Sequence, residues 1–143
     1  MAFSLRYIVT IKSRVKGHHV NNYRYRIGEE LQCSPETTNR YSDHAILVLA
    51  KKNNKKIKGK ASRTSDRSIT VGHVPDVLAE VLFPLMHTWK IYLVKATISE
   101  NHRVAPEGKW VPGGGIEIPC NYELYGPKNR KKYVRKIIKH SEC

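Results

Sequence analysis

The sequence has few of the features that mark secreted, membrane-spanning or metal-stabilised proteins. Its three cysteines, Cys33, Cys120 and Cys143, are odd in number and have no CxxC spacing, which disfavours a disulfide framework and a metal site. No run of 18 apolar residues is present, which rules out a transmembrane helix. The first ten residues lack the basic and long apolar regions of a secretory signal. We therefore expect a reducing compartment, nuclear or otherwise intracellular.

Acidic residues are scarce as well, and the familiar catalytic spacings are missing. Only 12 residues are Asp or Glu, and the sequence contains no HExxH, GxSxG or GxxxxGK[ST] motif. Three glycines at residues 113–115 precede a strand pattern rather than a helix, so they lack the geometry of a phosphate-binding loop. We therefore expect neither an enzyme nor a bound cofactor.

Positive charge, by contrast, is abundant and concentrated. The 26 Lys and Arg residues give a formal net charge of +14. Almost all of the excess lies in residues 51–67 and 126–143, each of which contains a single acidic residue. Such segments typically bind a polyanion, which could be DNA, RNA or an acidic membrane surface. The alternative is a solvated basic loop and a basic tail that serves as a nuclear-import signal.

The hydrophobic pattern predicts a mainly β protein. Alternating or continuous apolar runs predict strands at residues 3–12, 29–33, 45–50, 68–74, 89–98 and 116–124. Residues 22–26 are either a further strand or part of a long loop, residues 34–38 form a turn, and residues 101–114 form a loop. Five to seven short strands indicate a small antiparallel barrel. Pro119 predicts an edge position or a bulge in the last strand.

One helix is predicted within the barrel sequence and another in the tail. Apolar residues recur at helical spacing over residues 76–86, where Pro84 should end or kink the helix early. Residues 128–140 place an apolar stripe opposite a basic face, which is typical of a short amphipathic helix. This helix either docks on the barrel or becomes ordered on a partner. The expected division is a β-barrel domain at residues 1–125 and a basic tail at residues 126–143.

Two segments interleave aromatic and basic side chains. One contains His18, His19, Tyr23 and Arg24, and the other contains Asn39, Arg40, Tyr41 and Asp43. Proteins that bind single-stranded nucleic acid stack bases on such rings and hold phosphates with nearby cations. The alternative is that the tyrosines belong to half-buried strands and have no binding role.

Four stretches resemble the HIRAN domain family in the expected order. They are residues 28–33 (GEELQC), residues 36–46 with the pattern ExxNxYxxxAI, residues 71–75 (VGHVP) before a helix, and residues 116–120 (IEIPC). The resemblance implies a modified, OB-like antiparallel barrel of six strands with one or two helices. It also implies a domain that grips single-stranded DNA at a free 3′ end.

The resemblance also implies roles for particular residues. Tyr41 would stack on a base or cap the strand end, and Asn39 would contact the backbone or a terminal base. Gly72 and His73 would lie beside the phosphate path. His18, His19 or Tyr23 would supply the second aromatic, and Lys58 and Lys60 would add positive charge. The family aspartate that follows the tyrosine aligns with Ser42, and Asp43 comes one residue later. Asp76 stands where the family pattern has a basic phosphate contact.

These observations favour a non-catalytic module that binds nucleic acid, with single-stranded DNA as the preferred partner. We expect a monomer that does not bind membranes and that acts as part of a larger protein or complex. The alternative function is a protein-interaction or scaffolding domain whose basic tail serves nuclear import or non-specific tethering.

Overall fold

Strand pairing organises most of the chain. The structure is a computed structural model and describes residues 6–16, 24–36, 44–51, 68–101, 103–104 and 116–141. Within these residues the chain forms seven antiparallel strands: β1 (Arg6–Lys16), β2 (Glu30–Pro35), β3 (Ile46–Lys51), β4 (Ser68–His73), β5 (Leu93–Ile98), β6 (Arg103–Val104) and β7 (Ile116–Gly126). Two helices accompany them, α1 (Asp76–His87) and α2 (Lys131–Ser141), with a 3-10 turn at Lys128–Arg130.

Six of the strands pair in a cycle. The order β1-β4-β3-β2-β5-β7 is closed by pairing of β7 with β1, and β6 is added to β7. The β1–β7 ladder extends from Arg6 opposite Gly126 to Lys16 opposite Glu117. The β1–β4 seam, by contrast, is a single pair, Lys16 with His73. The predicted mainly β fold of six antiparallel strands with two helices is therefore confirmed, with one seam of the cycle weakly closed.

The core fills the inside of this cycle and extends beneath both helices. In β2, β3 and β5, alternation turns every second side chain inward, whereas β1 and β7 are less regular. The buried apolar residues include Ile8, Val15, Leu31, Ile46, Val48, Val71, Val94, Ile98, Ile118, Tyr122 and Leu124 from the strands, Ala79, Leu82 and Leu85 from α1, and Val134 and Ile138 from α2. The α2 helix therefore packs against the same core as the strands. Neither described helix is long and apolar enough to cross a membrane.

Helix α1 differs from its prediction at Pro84. It begins after Pro75, whose carbonyl accepts a hydrogen bond of 2.8 Å from the Ala79 amide. Pro84 lies inside the helix, which nevertheless continues to His87. The carbonyl of Pro84 accepts hydrogen bonds from both the amide and the hydroxyl of Thr88. Pro84 comes only three residues before the end, so the packing of Leu82 and Leu85 outweighs the one hydrogen bond that proline removes.

Pro119 lies in a strand that other strands pair on both sides, but at Pro119 itself only one side has a ladder partner, so the predicted edge position holds locally, and the ladder with β1 has no register shift there. On one side it pairs with Arg14 of β1. On the other side the β5 ladder stops at Cys120 and the β6 ladder starts at Glu117. The Pro119 carbonyl accepts a hydrogen bond from the Ser99 amide, so its ring nitrogen faces the same gap. Proline is tolerated there because no ladder donor is needed between the two partner strands.

Smaller corrections concern strand limits. Ser34 and Pro35 continue β2 instead of forming a turn, because Pro35 still pairs with Ile46 of β3. Residues 24–26 are not a strand. The predicted loop at residues 101–114 contains strand β6, which pairs with the start of β7. Strand β5 begins only at Leu93, because the amides of Lys90 and Ile91 bond back to the Leu85 carbonyl at the end of α1.

Candidate nucleic-acid interface

Four strand termini meet at one end of the sheet. Strand β1 ends at Lys16 and β4 ends at His73, and these two residues are paired. His73 also lies opposite Leu47, and Pro35 lies opposite Ile46. The end of β1, the end of β2, the start of β3 and the end of β4 are therefore neighbours. We call this region, formed by Lys16, Glu36, His44 and His73, the loop end.

The loop end is where both aromatic and basic segments attach to the fold. The segment with His18, His19 and Tyr23 follows Lys16 directly. The segment with Asn39, Arg40, Tyr41 and Asp43 leaves the fold at Glu36 and returns at His44. These seven candidates lie outside the described residues. Their attachment points are nevertheless close, since the Glu36 amide donates to the Ala45 carbonyl at 2.8 Å and the Val74 amide donates to the Ile46 carbonyl at 3.0 Å.

His73 is accessible at the loop end but faces a carboxylate. Its side chain is 44% exposed, and its Nε2 atom lies 3.6 Å from Oε1 of Glu36. A second pair joins Nε2 of His44 to Oε1 of Glu80 at 3.7 Å. Both distances are longer than a good hydrogen bond, so neither of these two contacts is a strong one. Glu36 nevertheless opposes the approach of a phosphate, whereas Lys16, which is paired with His73, favours it.

Gly72 is required by the packing of two strands. A Cβ atom at this position would lie 2.3 Å from the Lys16 carbonyl oxygen and 2.7 Å from Cγ1 of Val15. Both contacts are far shorter than an ordinary van der Waals separation. In the described residues, the close approach that Gly72 permits is therefore made by strand β1. This requirement holds whether or not a phosphate also passes nearby.

Arg24 and the Gly28 turn belong to a different part of the surface. Arg24 is exposed, and the chain after it turns at Gly28, whose φ of 91° disfavours any side chain. The Arg26 amide donates to Oε1 of Glu29, which closes the turn. The Gly28 amide donates to the Ile98 carbonyl at 2.7 Å. This turn therefore lies at the start of β2, whereas the loop end lies at the end of that strand.

Lys58 and Lys60 also belong to a segment that attaches elsewhere. They lie outside the described residues, between Lys51 and Ser68. Those two residues are paired at the far end of the β3–β4 hairpin from His73. Each strand has six residues, so the attachment lies about 17 Å from the loop end. Of the twelve candidate residues, the fold thus brings the attachment points of seven together with Gly72 and His73.

The most buried polar groups do not form an accessible reactive site. Nε of Arg14 lies 2.8 Å from Oε2 of Glu117, which is 1% exposed. The Tyr122 hydroxyl donates to the Arg14 carbonyl at 2.6 Å. Burial raises the pKa of the Cys33 thiol, raises that of Cys120 to about 12, and raises that of the Tyr122 hydroxyl. The raised pKa values keep the two thiols and the Tyr122 hydroxyl protonated at neutral pH, which disfavours them as nucleophiles.

A metal centre is not formed by the part of the chain that the structure describes. No group of three His, Cys, Asp or Glu side chains there is arranged to hold an ion. A pocket of about 280 Å³ lies between β1 and the β5–β7 junction and is lined by Ser13, Arg14, Glu100 and Asn121 among others. Its cations are Lys12 and Arg14, its carboxylate is Glu100, and Arg14 is already paired with Glu117, so the pocket favours neither an anion nor a cation.

Sequence reasoning did not find two features of the surface. It did not single out Lys16, because nothing in the sequence shows that β1 ends beside β4. It also missed Trp89, which is 70% exposed. The alternation over residues 89–98 placed Trp89 in a strand, whereas its φ of 61° places it in the turn that ends α1. A large exposed aromatic in the left-handed region is an uncommon combination.

The chain is similar in fold to solved structures of the HLTF HIRAN domain. The crystal structure of the HIRAN domain of human HLTF superposes with a TM-score of 0.64 at 15% identity, covering 96% of this chain and 92% of that chain. An NMR structure of the HLTF HIRAN domain superposes with a TM-score of 0.61 at 16% identity, covering 96% of this chain and 91% of that chain. The NMR structure of that domain in its DNA-bound conformation superposes with a TM-score of 0.55 at 16% identity, covering 96% of this chain and 92% of that chain.

Sequence comparison agrees with the fold. No curated protein matches the chain. The sequence model of the HIRAN domain, however, matches residues 2–111, which is more than half of the chain. The match includes the Gly28 turn, both aromatic and basic segments, and the Gly72–His73 strand end. The chain therefore belongs to the HIRAN domain family.

Proposed function

We propose that this protein is a non-catalytic module that binds single-stranded DNA at a free 3′ end, and that the binding site is the loop end. The observation that carries the proposal is the convergence of Lys16, His73 and the attachment points of the two aromatic and basic segments. Membership of the HIRAN family supports it, as does the similarity to an HLTF HIRAN domain in its DNA-bound conformation.

In this proposal the site works by stacking and by charge. Tyr41 stacks on the terminal base, and His18, His19 or Tyr23 supplies a second ring. Lys16, Arg40 and His73 contact phosphates, and Asn39 bonds to the backbone or to a base edge. Asp43 takes the place of the family aspartate and accepts a hydrogen bond from the 3′-hydroxyl. Base–aromatic stacking contributes about 1–3 kcal/mol per base, so Tyr41 is the most informative residue to change.

The test measures the affinity of the protein for three fluorescent ligands at two salt concentrations. The ligands are a single strand with a free 3′-hydroxyl, the same strand with a 3′-phosphate, and a blunt duplex. We expect the free 3′ end to bind most tightly. Tyr41→Ala should weaken its binding by about 5- to 150-fold. Tyr41→Phe keeps the ring and should bind like the parent, whereas Asp43→Asn should reduce the preference for the free hydroxyl.

The alternative, a scaffolding domain tethered by a basic tail, gives a different result. Equal and strongly salt-dependent binding of all three ligands, unaffected by Tyr41→Ala, would reject the loop end as the site. Deletion of residues 126–143 is a poor test of the tail, because Val134 and Ile138 of α2 lie in the core. Replacement of exposed cations on α2 removes the charge and leaves the packing intact.

A further inference from the structure

A second surface rich in aromatic and basic side chains lies at the other end of β1. The start of β1 pairs with the end of β7, with Arg6 opposite Gly126 and Tyr7 opposite Tyr125. The start of β5 joins them, since the Tyr92 amide donates to the Tyr125 carbonyl at 2.8 Å. Strand β1 has 11 residues, so this region lies about 33 Å from Lys16. It is therefore separate from the loop end.

Aromatic rings are unusually exposed at this end. Trp89 is 70% exposed, Tyr133 is 47% exposed and Tyr7 is 46% exposed. Two of these rings pack against a neighbouring ring. Trp89 packs edge-on against Tyr92, and Tyr7 packs edge-on against Tyr125, with 6.1 Å between the ring centroids in each pair. Trp89 also has a φ of 61°, a conformation that is costly for a bulky side chain. The fold thus keeps the Trp89 ring exposed to solvent although the backbone at this residue is in an unfavourable conformation.

Helix α2, which carries Tyr133, adds a cationic face to this end of the fold. Val134 and Ile138 anchor its apolar side in the core. On the opposite side, four exposed side chains form one stripe along the helix: Lys132, Arg135, Lys136 and Lys139. Lys90 lies over the ring of Tyr133, with Nζ 5.7 Å from the centroid, and connects the stripe to the turn that contains Trp89. We call Tyr7, Trp89, Lys90, Tyr133 and this stripe the far surface.

The cations of the far surface form no ion pair with a carboxylate among the described residues. Residues 128–141 contain no acidic side chain, and the first turn of α2 begins with Lys131 and Lys132. Cations at a helix N-terminus oppose the helix dipole and reduce stability. At the loop end, by contrast, His44 and His73 each face a glutamate. The cations on α2 are therefore available for a second contact with an anionic ligand.

We propose that the far surface is a second binding site for single-stranded nucleic acid, which contacts the strand beyond the part held at the loop end. The cations of α2 hold phosphates, and Trp89 and Tyr133 stack on bases. This proposal rests on the proposed function for the class of ligand and for the loop end as the first site, and the α2 and Tyr41 variants test the two sites separately. Exposed rings beside an ordered row of cations are what sequence-tolerant binding of single strands requires.

An acidic membrane fits the same charge but not the same packing. Helices that bind at a membrane surface insert their apolar face between the lipids. In α2 that face is occupied, because Val134 is fully buried and Ile138 is 2% exposed. Only cations and partly exposed rings face outward, and these match a flexible chain of phosphates and bases.

The experiment compares a single strand of about 4 nucleotides, which cannot span both sites, with one of about 20. Lys132→Gln/Arg135→Gln removes two exposed cations of α2 and keeps good helix formers. Lys12→Gln/Arg26→Gln removes the same two types of charge from exposed positions elsewhere and is the matched control. Trp89→Gly removes the ring and favours the observed φ. Tyr41→Ala tests the loop end in parallel.

We expect the α2 double variant to weaken binding of the long strand by about tenfold at low salt and to leave the short strand unchanged. The slope of log affinity against log salt should fall by about 1.4, because each phosphate contact on a single strand contributes about 0.7. Trp89→Gly should weaken the long strand by about tenfold without a change in slope. The control double variant should bind nearly like the parent.

Three results would overturn the proposal. One is an equal loss in the α2 and control variants, which would mean that only net charge matters. Another is an equal loss for the short and long strands. The third is that the protein binds vesicles containing phosphatidylserine and loses this binding in the α2 variant, while its binding of oligonucleotides does not change. A loss in the α2 variant with none in Tyr41→Ala would support the far surface and reject the loop end. No binding of either strand by the parent would reject both.

Discussion

Replacement of Gly72 by alanine tests whether the β1–β4 seam limits the stability of the fold. The added Cβ would lie 2.3 Å from the Lys16 carbonyl oxygen, about 1 Å inside ordinary contact distance. The nearest atom is a backbone oxygen, and the next is a methyl carbon of the fully buried Val15. Neither atom can move aside as the end of a flexible surface side chain would. The seam is a single pair, and the strain is most easily relieved by opening it.

We expect Gly72→Ala to lower the free energy of unfolding by about 2–3 kcal/mol, in the range found for overpacked cores. For a chain of 143 residues this corresponds to a fall in Tm of roughly 8 °C. The assay is urea unfolding followed by tryptophan fluorescence, with thermal unfolding by circular dichroism as a second measurement.

Gly28→Ala is the matched control, because it adds the same methyl group where nothing lies within 4 Å. Its cost comes only from the φ of 91° and should be about 1 kcal/mol. Gly28→Asn should cost less than Gly28→Ala, since asparagine tolerates the left-handed region better. A change of less than 0.5 kcal/mol in Gly72→Ala, or a smaller loss there than in Gly28→Ala, would refute the argument about the seam (about 0.5 kcal/mol is the usual range for surface substitutions).

Three further predictions concern the packing of the helices and the buried Cys and Tyr side chains. Pro84→Ala restores a helix amide and should raise the free energy of unfolding by about 1 kcal/mol in urea melts; a loss would show that the ring itself packs usefully. Ile138→Ala should cost about 2–4 kcal/mol, whereas exposed Lys136→Ala should change it by under about 0.5 kcal/mol, and equal effects would contradict docking of α2. The free energy of unfolding should fall above pH 9, because cysteine ionises more easily in the unfolded chain than in the folded protein. Folding raises the pKa of Cys120 to about 12 and also raises the pKa values of Cys33 and Tyr122. Urea melts at pH 8 and pH 10 measure this, and Cys120→Ala should flatten the dependence; a parent whose stability is equal at both values would contradict it.

The elements of secondary structure were largely predictable, since their signals are local. The wholly apolar run at residues 45–50 predicted the buried strand β3, and the helical spacing over residues 76–86 predicted α1 to within one residue. The tail helix followed from its apolar stripe. Strand β1 was harder, because it continues through polar Ser13 and Arg14 to Lys16. Arg14 is accommodated by its ion pair with Glu117, more than 100 residues away, which no local pattern reveals.

The site was predictable as residue types but not as an arrangement. The pattern around Tyr41 and the VGHV stretch singled out two candidate segments. It could not show that one attaches beside His73 and that the Lys58 segment attaches at the opposite end of the hairpin. It also gave no sign that Gly72 is needed for the close packing of β4 against β1.

Local sequence thus determined which segments form strands and helices, where the positive charge is concentrated, and which family motifs are present. Backbone conformation, side-chain periodicity and charge depend mainly on a residue and its near neighbours. The tertiary structure alone decided that Lys16 pairs with His73, that Trp89 stands exposed beside the cations of α2, and that two surfaces lie about 33 Å apart along β1. Those outcomes depend on pairing between distant strands, which the whole core decides by burying its apolar faces in a single register.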